Sequence, residues 1–181
     1  MDYKSKIILI AGATASGKSK IAINLAKKIN GEIVNADSMQ VYKQLKILTA
    51  RPSEKDQKTI KHHLFGIIDV RKRFTTGQWL TECIKIINLI RKNKKIPIVV
   101  GGTGLYFKAL VDGLVKIPKF DPSEKNKILH LHNKLGQNQF YKRLLKLDPL
   151  SKKFVNPNDV NRSIRAYEVK KFTKKSLYRW F

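Results

Sequence analysis

The sequence has one cysteine, Cys83, and no long hydrophobic run. One cysteine excludes a disulfide within the chain and a zinc site built on several cysteines. No apolar stretch reaches the roughly 18 residues that a membrane-spanning helix needs. The N-terminal residues Met1–Lys4 lead straight into an apolar segment, without the pattern of a signal peptide. These absences predict a cytoplasmic protein with no membrane partner, in which Cys83 belongs to the core.

Acidic residues are also scarce, with 13 against 38 basic residues and a formal net charge of +25. Such an excess indicates a polyanionic partner, most simply a nucleic acid. The alternative is the coding bias of an A/T-rich genome, since lysine supplies 30 of the basic residues. Residues 114–181 hold 17 basic and 5 acidic side chains. The charge is therefore densest in the C-terminal part, which favours binding.

An octapeptide near the N-terminus has the spacing G-x-x-x-x-G-K-[ST] of a phosphate-binding loop. It consists of Gly12, Ala13, Thr14, Ala15, Ser16, Gly17, Lys18 and Ser19. An apolar segment at 7–11 precedes it, and an apolar stripe at helical spacing follows, made of Ile21, Ala22, Leu25, Ala26 and Ile29. This is the context that the motif requires. Loop N–H groups and Lys18 hold phosphate, while the hydroxyl of Ser19 can reach Mg²⁺. The motif predicts a site for a di- or triphosphate, without deciding whether that group belongs to ATP.

Apolar patterns predict strands at 7–11, 32–35, 64–69 and 96–100, with helices at about 76–93 and 105–114. On the first of these helices, Leu80, Cys83, Ile84, Ile87 and Ile90 are predicted to share a buried face. Strands that alternate with helices indicate an α/β fold with a parallel sheet. A linker containing Pro118 and Pro122 follows, and then helices only, at about 123–135, 137–147 and 158–174.

Several polar residues follow predicted strands, and the carboxyl ends of parallel strands share one edge of a sheet. We therefore expect Asp37, Asp69 and Gly101–Gly104 to line one cleft with the phosphate-binding loop. Asp37 has three open interpretations: a metal partner, a helix cap or a general base. Asp69 is either an acid that assists Mg²⁺ or a turn cap, and Thr103 either contacts a ligand or belongs to a structural turn. The neighbouring His62 and His63 are a weak metal signal, because no Cys or carboxylate set accompanies them.

On the last predicted helix, Arg162 and Arg165 lie three residues apart and share a face, with Asn161 beside them. This face either contacts nucleic acid or is a solvated basic surface. Val160, Ile164 and Tyr167 fall roughly opposite and are predicted to pack inward.

Taken together, six stretches occur in the order seen in one family. They are Gly12–Ser19, Asp37–Tyr42, Ala50–Pro52, His62–Leu64, Gly101–Tyr106 and Asn158–Ala166. In these stretches the chain resembles the bacterial tRNA dimethylallyltransferases (tRNA isopentenyltransferases, the IPP transferase family). Ala13 departs from the pattern, since the family usually has proline there. The resemblance implies a P-loop NTPase-like parallel sheet flanked by helices at 1–115, a helical tRNA-binding insert at 116–157 and a basic helix at 158–181.

The resemblance also implies transfer of a dimethylallyl group from dimethylallyl diphosphate to N6 of the adenosine 3′ of the tRNA anticodon. Asp37, Lys18 and Thr14 would be catalytic, with Asp37 as the base, and Gly12–Ser19 would hold the diphosphate with Mg²⁺ on Ser19. The implied tRNA contacts are Asp37, Ser38, Met39, Gln40, Thr103, Lys125, Asn161, Arg162, Ser163, Ile164 and Arg165. A monomer is expected.

Length is the main departure, because family members continue well past residue 175. The chain therefore looks truncated before the last core elements. Two alternatives to the active transferase stay open. One is a P-loop kinase for a small molecule or nucleotide, and the other is a tRNA-binding remnant without turnover.

Overall fold

The computed structural model describes residues 6–180, apart from the side chain of Glu54. The chain forms two compact units, Met1–Leu114 and Val115–Phe181. Each has a hydrophobic core of its own.

The first unit is built on a four-stranded parallel sheet in the order β1-β4-β2-β3. The strands are β1 (Ile8–Ala11), β2 (Gly31–Asn35), β3 (His62–His63) and β4 (Ile96–Gly101). The register places Ile98 of β4 opposite Ile8 on one side and Ile33 on the other. In its described residues this unit also contains a short 3-10 helix (Lys43–Leu45) and the α-helices α1 (Lys18–Ile29), α2 (Glu54–Thr59), α3 (Thr76–Lys92) and α4 (Gly104–Asp112). The predicted parallel α/β arrangement is confirmed.

Both faces of the sheet are covered, because successive side chains of a strand point to opposite sides. On β4, Ile98 and Val100 pack against α1, whereas Val99 packs against α3 and α4. The buried positions of α3 are Trp79, Cys83, Ile87 and Ile90. Helical spacing of four, four and three residues puts these side chains on one stripe.

Cys83 is wholly buried in this core, as predicted, and burial raises the pKa of its thiol to about 12. Two other predicted positions are wrong. Ile84 is 46% exposed, and the stripe continues through Trp79 instead. On α1, Ile21 is 58% exposed while Ala22 and Ala26 are buried against the sheet.

The predicted strand at 64–69 is also wrong. Pairing with β2 stops after His63, because Leu64 and Gly66 adopt left-handed φ angles of 63° and 58° that a strand does not tolerate. Downstream, Ile68 makes one isolated parallel bridge with Tyr42.

The second unit is helical, with α5 (Pro122–Leu147), α6 (Val160–Thr173) and short 3-10 turns between and after them. Within α5, Gly136 has the non-helical angles φ 71° and ψ 163°, and this kink separates the two segments that the sequence predicts. Buried side chains of both helices, together with one from the segment between them, Val155, form one core: Ile128, Phe140, Tyr141, Leu144, Val155, Ala166 and Tyr167. Val160 is 37% exposed, so its predicted inward packing is wrong. Nowhere in residues 6–180 does a helix have the length and hydropathy to cross a membrane.

Candidate active site at the carboxyl ends of the strands

The phosphate-binding loop connects the end of β1 to the start of α1. Gly17, at the N-cap of α1, has the left-handed angles φ 80° and ψ 1°, which glycine adopts without strain. Ala15 has φ 64°, a conformation that costs a non-glycine residue about 1 kcal/mol or more and that clusters at binding sites. The Nζ of Lys18 donates to the carbonyl of Ala13 at 2.8 Å. The ammonium group is thus already held over the loop.

Asp37 follows β2 in a tight turn. Its Oδ1 accepts hydrogen bonds from the backbone N–H groups of Met39 (2.9 Å) and Gln40 (3.3 Å). Within the described residues, its Oδ2 makes no hydrogen bond and lies near Gly102, 3.8 Å from the position of a Cβ there. The carboxylate is anchored through one oxygen and presents the other.

Asn35, the last residue of β2, holds this turn in place. The side chain is wholly buried; its Oδ1 accepts from the N–H of Asp37 at 2.9 Å, and its Nδ2 donates to the carbonyl oxygens of Asp37 (2.9 Å) and Leu64 (3.1 Å). One amide thus ties the end of β2 to the segment after β3. Sequence reasoning missed this residue, because its bond to Leu64 spans 29 positions and its burial is set by the fold.

The end of β4 adjoins both the phosphate-binding loop and the turn that carries Asp37. Thr103, at the N-cap of α4, accepts from the N–H of Ser38 through its Oγ1 at 2.9 Å, and this hydroxyl donates to the Oγ of Ser38 at 3.2 Å. The N–H of Gly12 donates to the carbonyl of Gly101 at 3.3 Å. The three predicted groups, namely the loop, Asp37–Gln40 and Thr103, are therefore brought together by direct bonds.

A cavity of about 650 Å³ opens between the loop and the turn after β2. Its lining combines loop residues with polar and apolar side chains: Thr14, Ala15, Gly17, Lys18, Ser19, Lys20, Asp37, Met39, Gln40, Leu45, Leu48, Thr49 and Ala50. The lining thus divides by chemistry into the cationic loop with its N–H groups, the polar side chains of the turn after β2, and apolar surface from Met39, Leu45 and Leu48. This division suits a ligand with an anionic head and a hydrocarbon part.

A second, much smaller space of about 10 Å³ is also lined by Lys18, Ser19 and Asp37, and His62 is a further part of its wall. The Nδ1 of His62 lies 2.7 Å from the carbonyl oxygen of Ile60, so Nδ1 carries the proton and Nε2 is left as an acceptor. Nε2 is buried and has no hydrogen-bond partner among the described residues. Burial lowers the pKa of His62, which keeps the ring neutral.

From sequence, His62 is predicted only as a weak metal ligand. Residues 6–180, which the structure describes, contain no cluster of three His, Cys, Asp or Glu side chains for a metal. The sequence signal that could have placed His62 in this site is the stretch His62–Leu64, which is one of the six that carry the family resemblance.

Asp69 lies apart from these groups. Its carboxylate accepts from Arg71 through Nε (2.8 Å) and Nη2 (3.1 Å), and from Gln44 at 2.8 Å. The Arg71 guanidinium holds the pKa of Asp69 well below its usual value. Asp69 lines neither of the two cavities, so the expectation that it joins the cleft is wrong.

Residues 40–181 match the family model described as IPP transferase. The chain belongs to the IPP transferase family. The tRNA dimethylallyltransferase of Pelagibacter ubique is 61% identical over 180 residues, which cover 99% of this chain and 58% of that protein. The corresponding protein of Rickettsia bellii is 42% identical over 97% of this chain and 56% of its own length. The chain thus spans somewhat more than half the length of these relatives.

Two solved structures agree with this assignment. A eukaryotic dimethylallyltransferase acting on tRNA superposes with a TM-score of 0.76 and 34% identity, over 96% of this chain and 43% of that chain. The full-length tRNA isopentenylpyrophosphate transferase from Bacillus halodurans superposes with a TM-score of 0.61 and 32% identity, over 95% of this chain and 57% of that chain. The P-loop NTPase-like fold of this IPP transferase chain is thereby confirmed.

The remaining residues that resemblance to IPP transferases implies in tRNA contact lie in the second unit. Lys125 is exposed on α5, and Asn161 and Arg162 are exposed at the start of α6. Arg165 is partly engaged, since its Nη1 lies 3.2 Å from Glu168 and its guanidinium stands over Phe120.

Ser163 and Ile164 complete this set, but they differ in access. The side chain of Ser163 is wholly buried and accepts a hydrogen bond from Gln137 at 3.1 Å. Ile164 is half-buried against the helical core. In this conformation the accessible polar side chains among residues 161–165 are Asn161, Arg162 and Arg165.

Proposed function

We propose that this chain transfers the dimethylallyl group of dimethylallyl diphosphate to N6 of the adenosine 3′-adjacent to the tRNA anticodon. The product would be N6-isopentenyladenosine, with diphosphate released. One observation carries the proposal: Asp37, anchored through Oδ1 and open at Oδ2, lines the same cavity as Lys18 and Ser19 of the phosphate-binding loop. The names of the relatives support the same reaction.

The donor would bind with its diphosphate in the loop. The backbone N–H groups of Gly12–Ser19 and the ammonium of Lys18 suit two phosphate groups, and Thr14 offers a hydroxyl beside them. When the Lys18 ammonium contacts the diphosphate, its present hydrogen bond to the Ala13 carbonyl would be broken. The apolar wall of Leu45 and Leu48 suits the prenyl part of the donor.

The acceptor amine is a weak nucleophile because its lone pair is delocalised into the adenine ring. As its nitrogen bonds to C1 of the dimethylallyl group, the C1–O bond breaks and the electron pair leaves with the diphosphate. The proton released from N6 passes to Oδ2 of Asp37. Met39 and Gln40 keep the carboxylate in place through their N–H groups.

Mg²⁺ is part of the proposal. The hydroxyl of Ser19, in the first turn of α1 and on the wall of the cavity, is a hard oxygen donor of the kind that Mg²⁺ prefers. The described residues offer no carboxylate cluster, so the remaining ligands would be phosphate oxygens and water. When bound, the ion would neutralise charge on the diphosphate.

The tRNA would meet Asp37–Gln40 and Thr103 in the first unit, and Lys125 and the Asn161–Arg165 segment in the second. The adenosine has to leave its base stack to reach Asp37. We further propose that the chain works as a monomer in the cytoplasm, where its tRNA substrate is found.

Replacement of Asp37 by asparagine tests the mechanism. Asparagine keeps an oxygen for the Met39 and Gln40 N–H groups but removes the base, so we expect prenyl transfer to fall by a factor of about 10² to 10⁴. The 181-residue chain is mixed with Mg²⁺, dimethylallyl diphosphate labelled in the prenyl group and an unmodified anticodon stem-loop, and label in the RNA is measured. A matched control is Asp112→Asn, an exposed carboxylate on α4 that pairs with Lys108.

Incorporation by wild type and by the control, lost in Asp37→Asn, would support the proposal. Equal incorporation by all three would remove Asp37 as the base. If the wild-type chain binds RNA but incorporates no label, the alternative of a tRNA-binding remnant without turnover is favoured. The assay would then be repeated with the longer relative from Pelagibacter ubique. Phosphoryl transfer from ATP without need of RNA would favour the kinase.

A further inference from the structure

The second unit has an unusual charge balance, with 17 basic and 5 acidic side chains. All five acids are engaged locally. Asp121 caps α5, Glu124 pairs with Lys127, Asp148 accepts from two buried serine hydroxyls, Asp159 caps α6 and approaches Arg162, and Glu168 pairs with Arg165. Most of the cations are therefore not neutralised within the unit.

Three of these cations line a single groove on the second segment of α5. The groove measures about 580 Å³ and is lined by Leu135, Gln139, Lys142, Arg143, Lys146, Leu147 and Tyr167. Lys142 and Lys146 lie four residues apart, as do Gln139 and Arg143, so the four side chains project from one helical face. None of the three cations has a carboxylate within salt-bridge distance in the described part of the unit.

Arg143 is held by the core beneath it. Its Nε donates to the phenol oxygen of Tyr167 at 3.3 Å, and Tyr167 is only 6% exposed. The ring of Tyr167 packs on Phe140 with centroids 5.1 Å apart, which fixes the phenol. The guanidinium is thus tethered through one N–H, and its two terminal nitrogens are free of hydrogen bonds in the described residues. A guanidinium prepared in this way matches phosphate oxygens.

We propose that this α5 groove binds the phosphate–sugar backbone of the RNA substrate. The inference rests on the proposed function, because it assigns a further contact to the same RNA. Two lysines and a tethered arginine on one helical turn give the charge that a phosphate chain requires. Leu135, Leu147 and the rim of Tyr167 supply apolar surface for a ribose or an unstacked base. The groove shares no residue with Lys125 or the Asn161–Arg165 segment.

RNA binding by the groove variant tests the proposal. In K142Q/R143Q/K146Q we expect the dissociation constant for the unmodified stem-loop to rise at least about tenfold near physiological salt, with the slope of log K against log salt reduced by about 2. The control K72Q/R73Q/K92Q removes the same three charges from exposed positions of the first unit outside both cavities. The control should change the dissociation constant less than about threefold.

A second variant tests only the hydrogen bond between Arg143 and the phenol oxygen of Tyr167. Tyr167→Phe keeps the buried ring but removes the oxygen that holds Arg143, and should weaken RNA binding a few-fold without altering the salt slope. Thermal melting confirms that each variant is folded.

The outcomes separate the two proposals. Equal weakening by groove and control variants would show that only diffuse charge matters and would overturn the groove. Binding of poly-glutamate, used as a probe for an acidic protein, is measured with the same variants. If the groove variant loses poly-glutamate binding but keeps its RNA binding, the proposal is overturned in favour of an acidic protein partner. Failure of the wild-type chain to transfer a prenyl group, while RNA affinity still depends on the groove, would count against the proposed reaction alone.

Discussion

At the scale of single residues, the position of the candidate base Asp37 depends on a neighbouring side chain, Asn35, that takes no part in the proposed reaction. Asn35 makes three hydrogen bonds to backbone groups of Asp37 and Leu64, and all of them are shielded from water to some degree. No other uncharged side chain offers an acceptor and two donors at this length, because glutamine carries the same amide on a chain one CH₂ longer. The position of Asp37 is thus set by a buried amide.

Replacement of Asn35 by alanine should lower the free energy of unfolding by about 3 kcal/mol, because it leaves buried backbone groups without partners. Urea unfolding measures this change. Asn88→Ala, at an exposed position of α3, should stay within about 0.5 kcal/mol of wild type. A similar stability for both variants would show that water replaces the amide without cost.

His62 should make stability depend on pH. Its pKa is lowered by burial from the ordinary 6.5, so the folded state prefers the neutral ring. The stability that this contributes is complete above the ordinary pKa and is lost as pH falls below it, because the unfolded chain then binds more protons. The His62→Gln variant should therefore lose less unfolding free energy than wild type between about pH 7 and pH 5.

Chemical denaturation at several pH values measures this difference. His130→Gln, an exposed histidine of the second unit, is the control. Parallel pH profiles for wild type and His62→Gln would contradict the assignment of a neutral, buried ring.

At the scale of elements, the site depends on how closely the ends of β2 and β4 approach. A Cβ on Gly101 would lie 2.1 Å from the carbonyl carbon and oxygen of Ala36 and 2.7 Å from the nitrogen of Asp37. Those neighbours are backbone atoms, which cannot move aside alone. Glycine at the end of β4 is therefore required by packing against the turn that presents Asp37.

Gly101→Ala should lower the free energy of unfolding by at least about 3 kcal/mol and displace Asp37. Gly104→Ala is the matched control, because a Cβ there meets no atom within 4 Å. Denaturation curves and prenyl transfer are measured for both. An active, stable Gly101→Ala chain would mean that the two strand ends separate easily.

At the scale of the whole molecule, two units carry separate cores and different charge. The first unit holds the phosphate-binding loop and the candidate base, and the second holds the densest positive charge. Phe140 is wholly buried in the second core, between His132 and Tyr167. A destabilising substitution at Phe140 tests whether the core of the second unit folds independently of the first.

Phe140→Ala should cost the second unit about 3 to 5 kcal/mol, through lost burial and the cavity left behind. Hydrogen exchange should accelerate along α5 and α6, whereas amides of β2 and β4 keep their protection. Phe154→Ala, about half-exposed in the same unit, is the control. Faster exchange throughout the sheet would show that the two cores unfold together.

Much of this organisation was predictable from local pattern. The octapeptide Gly12–Ser19 between an apolar strand and an amphipathic helix specifies its own conformation, and alternation of strands with helices specifies parallel pairing. Gly136 marked the break in α5 for the same reason, since glycine alone adopts its angles freely. Such features depend on contacts within a few residues and are therefore readable from sequence.

Other features were decided only by tertiary structure. No strand forms at 64–69, because Leu64 and Gly66 adopt left-handed backbone angles. The carboxylate of Asp69 is hydrogen-bonded to Arg71 and Gln44 and does not line the cleft. Asn35, His62 and the tether between Arg143 and Tyr167 acquire their roles through partners that are distant in sequence or through burial. The sequence by itself thus determined the phosphate-binding loop, the fold class and the excess of positive charge, because these depend on local pattern and composition. Which oxygen of Asp37 is free, and which cations share a groove, was decided by the packing of segments far apart in the chain.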